Sequence, residues 1–217
     1  MLLLVAIGLA MLPLALTLLY RLEFTRPVSM LMLVDRFTFR PFHRQWIDID
    51  DVAPVLVQSV IMSEDGQFCS HQGVDWGALN EVINEALEGE RARGASTITM
   101  QTVKNLFLWN SRSFIRKGLE IPLAIWFDLV VPKKRVLEIY LNIAEWGIAT
   151  YGVAAASQAY FGKHPTELSP REAALLTVAL PNPKERNPAS PGPGMSRLAD
   201  IIQARAAKAG GHTGCLD

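Results

Sequence analysis

The stretch "PVLVQSVIMSEDGQFCSHQG", residues 54–73, opens on a proline and closes a run of apolar residues with a Glu–Asp pair. Pro54 suits the first turn of a helix, where a missing backbone N–H costs nothing. From there Val57, Ile61, Glu64 and Phe68 fall at i, i+4, i+7 and i+11, the spacing of one helical face rather than of a strand. The stripe that should face the core therefore carries a carboxylate, Glu64, with His71 further along. Partial burial of such a group raises its pKa toward the range useful for proton transfer.

Helical signals continue outward from this stretch. Asp75 can cap a helix whose inner face is Leu79, Val82, Ile83 and Ala86. "EGERARGAS" (88–96) is charged and contains glycine, which predicts a loop. Helices are expected over 97–109, 113–130, 132–145 and 151–161. "SPRE" (169–172) is a capping box leading into another helix. Residues 181–194 form a Pro-rich linker, and a last helix runs from about Ser196 to Ala209. Strand-type alternation is scarce, so the fold class is mostly α. The 217 residues suit one domain with short appendages.

Residues 1–20 carry no charge, and twenty helical residues rise about 30 Å, enough to span a hydrocarbon core. This predicts an uncleaved transmembrane anchor with Pro13 inside it. Residues 21–50 mix Arg with Phe37, Phe39, Phe42 and Trp46, a composition that suits a membrane-proximal segment. The basic residues after the span would keep the main domain cytoplasmic under the positive-inside rule.

Lys plus Arg equals Asp plus Glu at 21 each, so net charge points to no partner. Residues 91–135, however, hold nine Lys/Arg (Arg91, Arg93, Lys104, Arg112, Arg116, Lys117, Lys133, Lys134, Arg135) against Glu120 and Asp128. That local excess suits an anionic ligand or surface. Cys69 and Cys215 lie far apart, neither a disulfide framework nor a metal spacing. The chain shows no zinc pattern, no phosphate-cradling glycine loop and no internal repeat.

On a helix, Thr97, Gln101 and Lys104 share one face, presenting a hydroxyl, an amide and an ammonium together. Arg116 and Glu120 are four apart and meet, with Pro122 just beyond. Glu64 and Glu120 make a candidate carboxylate pair for acetal chemistry, one moving a proton and the other stabilising positive charge at the anomeric carbon. Lys133 and Lys163 are further cations that could reach an anionic ligand.

Five blocks in order, "EDGQFCSHQGVD", "GASTITMQTVKN", "RKGLE", "KKRVLEIYLN" and "YGVAAASQAYFGK", together resemble the peptidoglycan glycosyltransferase family in its single-domain, membrane-anchored form. The resemblance implies a lysozyme-like bilobal domain over 51–188, after an anchor (1–20) and a membrane-proximal segment (21–50), with a linker and tail over 189–217. It implies polymerisation of lipid II onto a growing glycan strand with release of undecaprenyl pyrophosphate. Glu64 would be the general base and Glu120 the second glutamate, near the pyrophosphate or a bound divalent metal (Mg or Mn). Asp65, Phe68 and His71 would shape the first block. Lys104, Arg116, Thr97, Gln101, Asn105 and Lys163 would bind substrate. The expected setting is the bacterial inner membrane, single-pass, with the catalytic domain periplasmic and in contact with membrane lipid. A separate transpeptidase would be among its cell-wall synthesis partners, and nucleic acid would not. Ala95 and Met100 depart from the family pattern, which has Gly and Gln there. A lysozyme-like glycan-cleaving enzyme and an inactive membrane-anchored scaffold are the alternatives.

Overall fold

A computed structural model describes residues 2–89, 94–110 and 113–216, the side chains of 2–7, 9 and 114 excepted. Among the described residues the helices are α1 (Leu2–Tyr20), α2 (Met30–Phe37), α3 (Pro54–Glu64), α4 (Trp76–Leu87), α5 (Ile98–Phe107), α6 (Phe114–Val130), α7 (Lys133–Ile143), α8 (Val153–Phe161), α9 (Pro170–Ala179) and α10 (Pro193–Ala206). Three short strands, β1 (His43–Arg44), β2 (Glu145–Gly147) and β3 (Thr150–Tyr151), form one sheet in the order β1-β3-β2. β1 lies parallel to β3 and β2 antiparallel to it. The protein is mostly helical, as the apolar periodicity predicts.

Local chemistry sets several helix ends. Pro54 stands in the first turn of α3, and the Asp75 carboxylate caps α4 by accepting from Ala78 N at 2.9 Å. Ser169 and Glu172 close the capping box at the start of α9. Tertiary packing then sorts the helices. α5 lies against α6 and α7, while α3 lies against α9 and α10. Leu56, Val57, Ser59, Val60 and Ile61 are all buried, so α3 is enclosed on most sides rather than along the single stripe its spacing suggests. The helix also stops at Glu64. Phe68, expected on the same helical face, is fully buried in the turn beyond it.

The transmembrane expectation for residues 1–20 is not met. Among the described residues no helix is long and apolar enough to cross a membrane, which removes the basis for a single-pass inner-membrane protein with a periplasmic domain. One side of α1 docks on α6. Thr17 is buried, Trp126 Nε1 donates to the Leu14 carbonyl at 3.4 Å, and Tyr20 stacks on Phe107. While α6 covers that side of α1, Met11, Leu12, Leu18 and Leu19 stay exposed.

Three further expectations change. Cys69 and Cys215 form a disulfide across 146 residues of sequence. Their spacing could not reveal this, because the fold brings the two ends together; closing so long a loop removes about 4–5 kcal/mol of unfolded-chain entropy in the loop-closure account. The α4 face of Leu79, Val82, Ile83 and Ala86 is only partly covered: Leu79 and Val82 are half-buried, whereas Ile83 and Ala86 are exposed. The last helix runs from Pro193 to Ala206 rather than from about Ser196 to Ala209, and it packs through Ala199, Ile202 and Ala206 against α9 and α3. Residues 90–93 of the expected 88–96 loop lie outside the described residues.

Candidate active site

Glu64 is the last residue of α3, half-buried where that helix meets α5. Gln101 Nε2, from α5, donates to Glu64 Oε2 at 3.1 Å, and the Ser63 hydroxyl lies 3.5 Å from Oε1. Gln101 is itself oriented, because its Oε1 accepts from the Tyr140 hydroxyl of α7 at 3.1 Å. Burial pushes the Glu64 carboxyl above the ordinary carboxylate range; the two hydrogen bonds and the Lys104 charge oppose the shift without cancelling it, and Asp65 adds to it. The same burial, with Glu64 and Asp65 nearby, raises the Tyr140 hydroxyl well above its usual value and keeps it a neutral donor.

Asp65 is structural in its contacts. Its Oδ2 accepts the Ile98 backbone N–H at 2.9 Å, tying the first turn of α5 to the end of α3, while His71 Nε2 donates to both carboxylate oxygens at 2.9 and 3.0 Å. His71 Nδ1 is buried with no partner among the described residues. Thr97, expected to share a face with Gln101 and Lys104, is instead the N-cap of α5. It donates to the Gly73 carbonyl at 2.6 Å and accepts from Met100 N at 3.1 Å, so its hydroxyl proton is committed. Gly73 holds φ +82° and lies so close to α6 that a Cβ would come 2.4 Å from the Ala124 carbonyl oxygen.

A cluster of cations adjoins Glu64. Arg116 and Lys117 each reach one oxygen of Glu120, Lys117 at 3.2 Å, and Glu120 is 1% exposed. Lys117 also lies 3.4 Å from the Ser96 hydroxyl. Burial, then the Arg116 charge, lowers the Lys104 ammonium below its usual pKa, with Glu64 pulling it back up. Lys117 is lowered by burial and by both neighbouring cations. Three positive charges thus face two carboxylates, Glu64 and Glu120, and mutual repulsion among the cations favours an added anion.

Two cavities flank the Glu64–Gln101 hydrogen bond. One, about 480 Å³, is lined by Gln101, Lys104, Asn105, Trp109 and Tyr140. The other, about 310 Å³, is lined by Ser63, Glu64, Asp65, residues 94–97 and His212. A carboxylate of raised basicity thus opens on one side, with an ammonium and amides on the other.

The transglycosylase family profile matches residues 32–206, four-fifths of the chain. The chain belongs to the transglycosylase family. It is 59% identical over 216 residues to a protein of Mesorhizobium japonicum named biosynthetic peptidoglycan transglycosylase, covering 99% of this chain and 92% of that one. A protein of the same name from Rhizobium meliloti is 56% identical over 212 residues, covering 98% and 90%. One from Brucella suis is 55% identical over 212 residues, covering 98% and 95%.

Within this transglycosylase chain the remaining residues singled out by sequence separate into two groups. Glu64, Gln101, Lys104, Asn105, Arg116 and Glu120 come together as described. Lys163 does not join them: it pairs with Glu172 at 2.7 Å and lines neither cavity. Phe68 is core, with the Lys133 ammonium 4.7 Å from its ring centroid. Lys133 bonds Asp128 at 2.7 Å and Arg135 is buried against Glu138 and backbone carbonyls, so these two brace the fold, while Lys134 pairs with Asp50 at 2.8 Å on the surface. Arg91, Arg93 and Arg112 lie outside the described residues. Of the two departures, Met100 is fully buried and changes packing, whereas Ala95 lines the Glu64 cavity. Sequence reasoning missed Tyr140 and Lys117. The only hint for Tyr140 was a phenol on an apolar face, which needs a hydrogen-bond partner once buried; for Lys117 it was its place three residues before Glu120.

The residues do not fit a divalent metal at Glu120. Both its oxygens are held by cations, and among the described residues no group of three His, Cys, Asp or Glu converges on one point.

Proposed function

We propose that this chain is a peptidoglycan glycosyltransferase that extends glycan strands from lipid II and releases undecaprenyl pyrophosphate. The observation that carries the reading is the Glu64 carboxylate, raised in basicity by burial, lining one cavity and hydrogen-bonded to Gln101, which with Lys104 lines the next. On this reading residues 51–188 hold the catalytic domain, of lysozyme-like bilobal form, and Glu64 removes the proton from the acceptor sugar's 4-hydroxyl. The alkoxide attacks the donor's anomeric carbon as its bond to the pyrophosphate oxygen breaks. Charge gathering on the leaving pyrophosphate is met by Lys104, Arg116 and Lys117, an electrostatic contribution fixed before reaction begins. Glu120 keeps two of those cations in place, and Gln101 orients Glu64 while Tyr140 orients Gln101. No step is assigned to a metal.

The deciding experiment offers purified protein lipid II and, separately, finished glycan. Strand growth from lipid II is the expected result. Cleavage of finished glycan without growth would replace this reading with a hydrolytic one.

The acid limb of kcat/KM follows from the same electrostatics. Glu64 must be ionised to act, so activity falls as pH drops through a pKa that lies above that of an ordinary glutamate. Gln101→Ala removes a hydrogen bond that favours the ionised form. The acid limb of this variant is expected at higher pH than in wild type, whatever the height of the profile. A limb that stays put or moves down would mean Gln101 does not hold Glu64 in the working enzyme.

A further inference from the structure

After α10 the chain returns past the loop that follows Glu64, and four of residues 209–216 are anchored, two of them to that loop. Ala209 is fully buried, Leu216 packs on the main core, Cys215 is bonded to Cys69, and His212 Nδ1 lies 2.9 Å from the Gly66 carbonyl oxygen. Two single 3₁₀ turns, Ala209–Gly211 and Gly214–Leu216, bracket the histidine. Ordering a stretch with three glycines, Gly210, Gly211 and Gly214, is costly in conformational entropy, so the fastening has something to offset.

The ring of His212 has a definite chemistry in this position. A carbonyl oxygen only accepts, so Nδ1 carries the hydrogen that bonds Gly66. In the neutral ring Nε2 is then an acceptor, and no described residue bonds it. The same side chain lines the cavity that holds Ser63, Glu64 and Asp65.

We propose that His212 is a substrate-positioning residue of the acceptor side, its Nε2 accepting a hydrogen bond from a hydroxyl or amide N–H of the sugar whose 4-hydroxyl Glu64 deprotonates. The disulfide serves this role by holding the ring over the cavity. The assignment rests on the glycosyltransferase reading and adds to it a residue from outside the five sequence blocks.

Full-length protein and lipid II provide the test, with KM and kcat read separately. An asparagine amide can stand where Nδ1 stands and keep the bond to Gly66, but it places nothing at Nε2; a glutamine reaches the Nε2 position. His212→Asn and His212→Ala are expected to raise KM for lipid II about three- to tenfold, the loss of one hydrogen bond, with kcat little changed. His212→Gln should recover part of the loss. Replacing both cysteines by alanine should raise KM as His212→Ala does. Wild-type KM in His212→Asn would reduce the histidine to a clamp on Gly66 and overturn the assignment, and this variant decides the matter even if His212→Ala fails to fold. No strand growth by wild-type protein would instead overturn the glycosyltransferase reading, and this assignment with it.

Discussion

Glu64→Gln is expected to lower kcat for lipid II polymerisation by about 10²–10⁴-fold, the usual contribution of a positioned general base. The amide has nearly the shape of the carboxyl and can still accept from Gln101, so the neighbourhood of Gln101 and Tyr140 should persist. Burial is the largest influence on the Glu64 carboxyl and disfavours its charged form. Removing that charge should therefore leave the melting temperature at neutral pH no lower than that of wild type. Lipid II should still bind, because the variant loses a proton acceptor rather than a cavity. Full retained turnover in a folded Glu64→Gln protein would take Glu64 out of the reaction. A variant that lost both turnover and thermal stability would point to a structural role.

Lys104→Ala should slow turnover by about 10²–10³-fold, comparable to deleting one preorganised group that faces developing negative charge. The physical basis is the crowding of Lys104, Arg116 and Lys117. Burial and mutual repulsion lower the ammonium groups of Lys104 and Lys117, and an incoming pyrophosphate relieves that repulsion. Lys104→Arg keeps the charge and should recover part of the rate. Single-turnover rates and donor binding measured on the same preparations separate the two uses of the lysine. If neither changes in Lys104→Ala, the pyrophosphate does not lie on that side of Gln101.

Much of the helical frame was legible along the chain. Pro54, Asp75 and the Ser169–Glu172 box announce helix starts through local chemistry, and each acts where the sequence puts it. Spacing also brought Arg116 and Glu120 together, because residues four apart on a helix meet whatever surrounds them. It was less informative about what covers each face. The Thr97–Gln101–Lys104 face assumed a helix that includes Thr97, but as an N-cap Thr97 turns its hydroxyl to Gly73. The nine-cation run reads along the chain as one basic patch suited to an anionic ligand. Lys133 and Arg135 are instead taken up by Asp128 and Glu138, Lys134 pairs with Asp50 at the surface, and among the described residues of the run Lys104, Arg116 and Lys117 gather near Glu64.

Position along the chain by itself determined the helices with local caps, the placing of Glu64 on the apolar helix that opens at Pro54, and the five blocks that mark the family. All of these depend on neighbours within a few residues, where backbone geometry is already prescribed. Only the tertiary structure decided that α1 lies on α6, that Tyr140 orients Gln101, that Cys69 meets Cys215, and that His212 borders the cavity beside Glu64. Those contacts join residues tens to more than a hundred positions apart. They depend on which apolar faces bury one another, and no periodicity in a linear pattern records that choice.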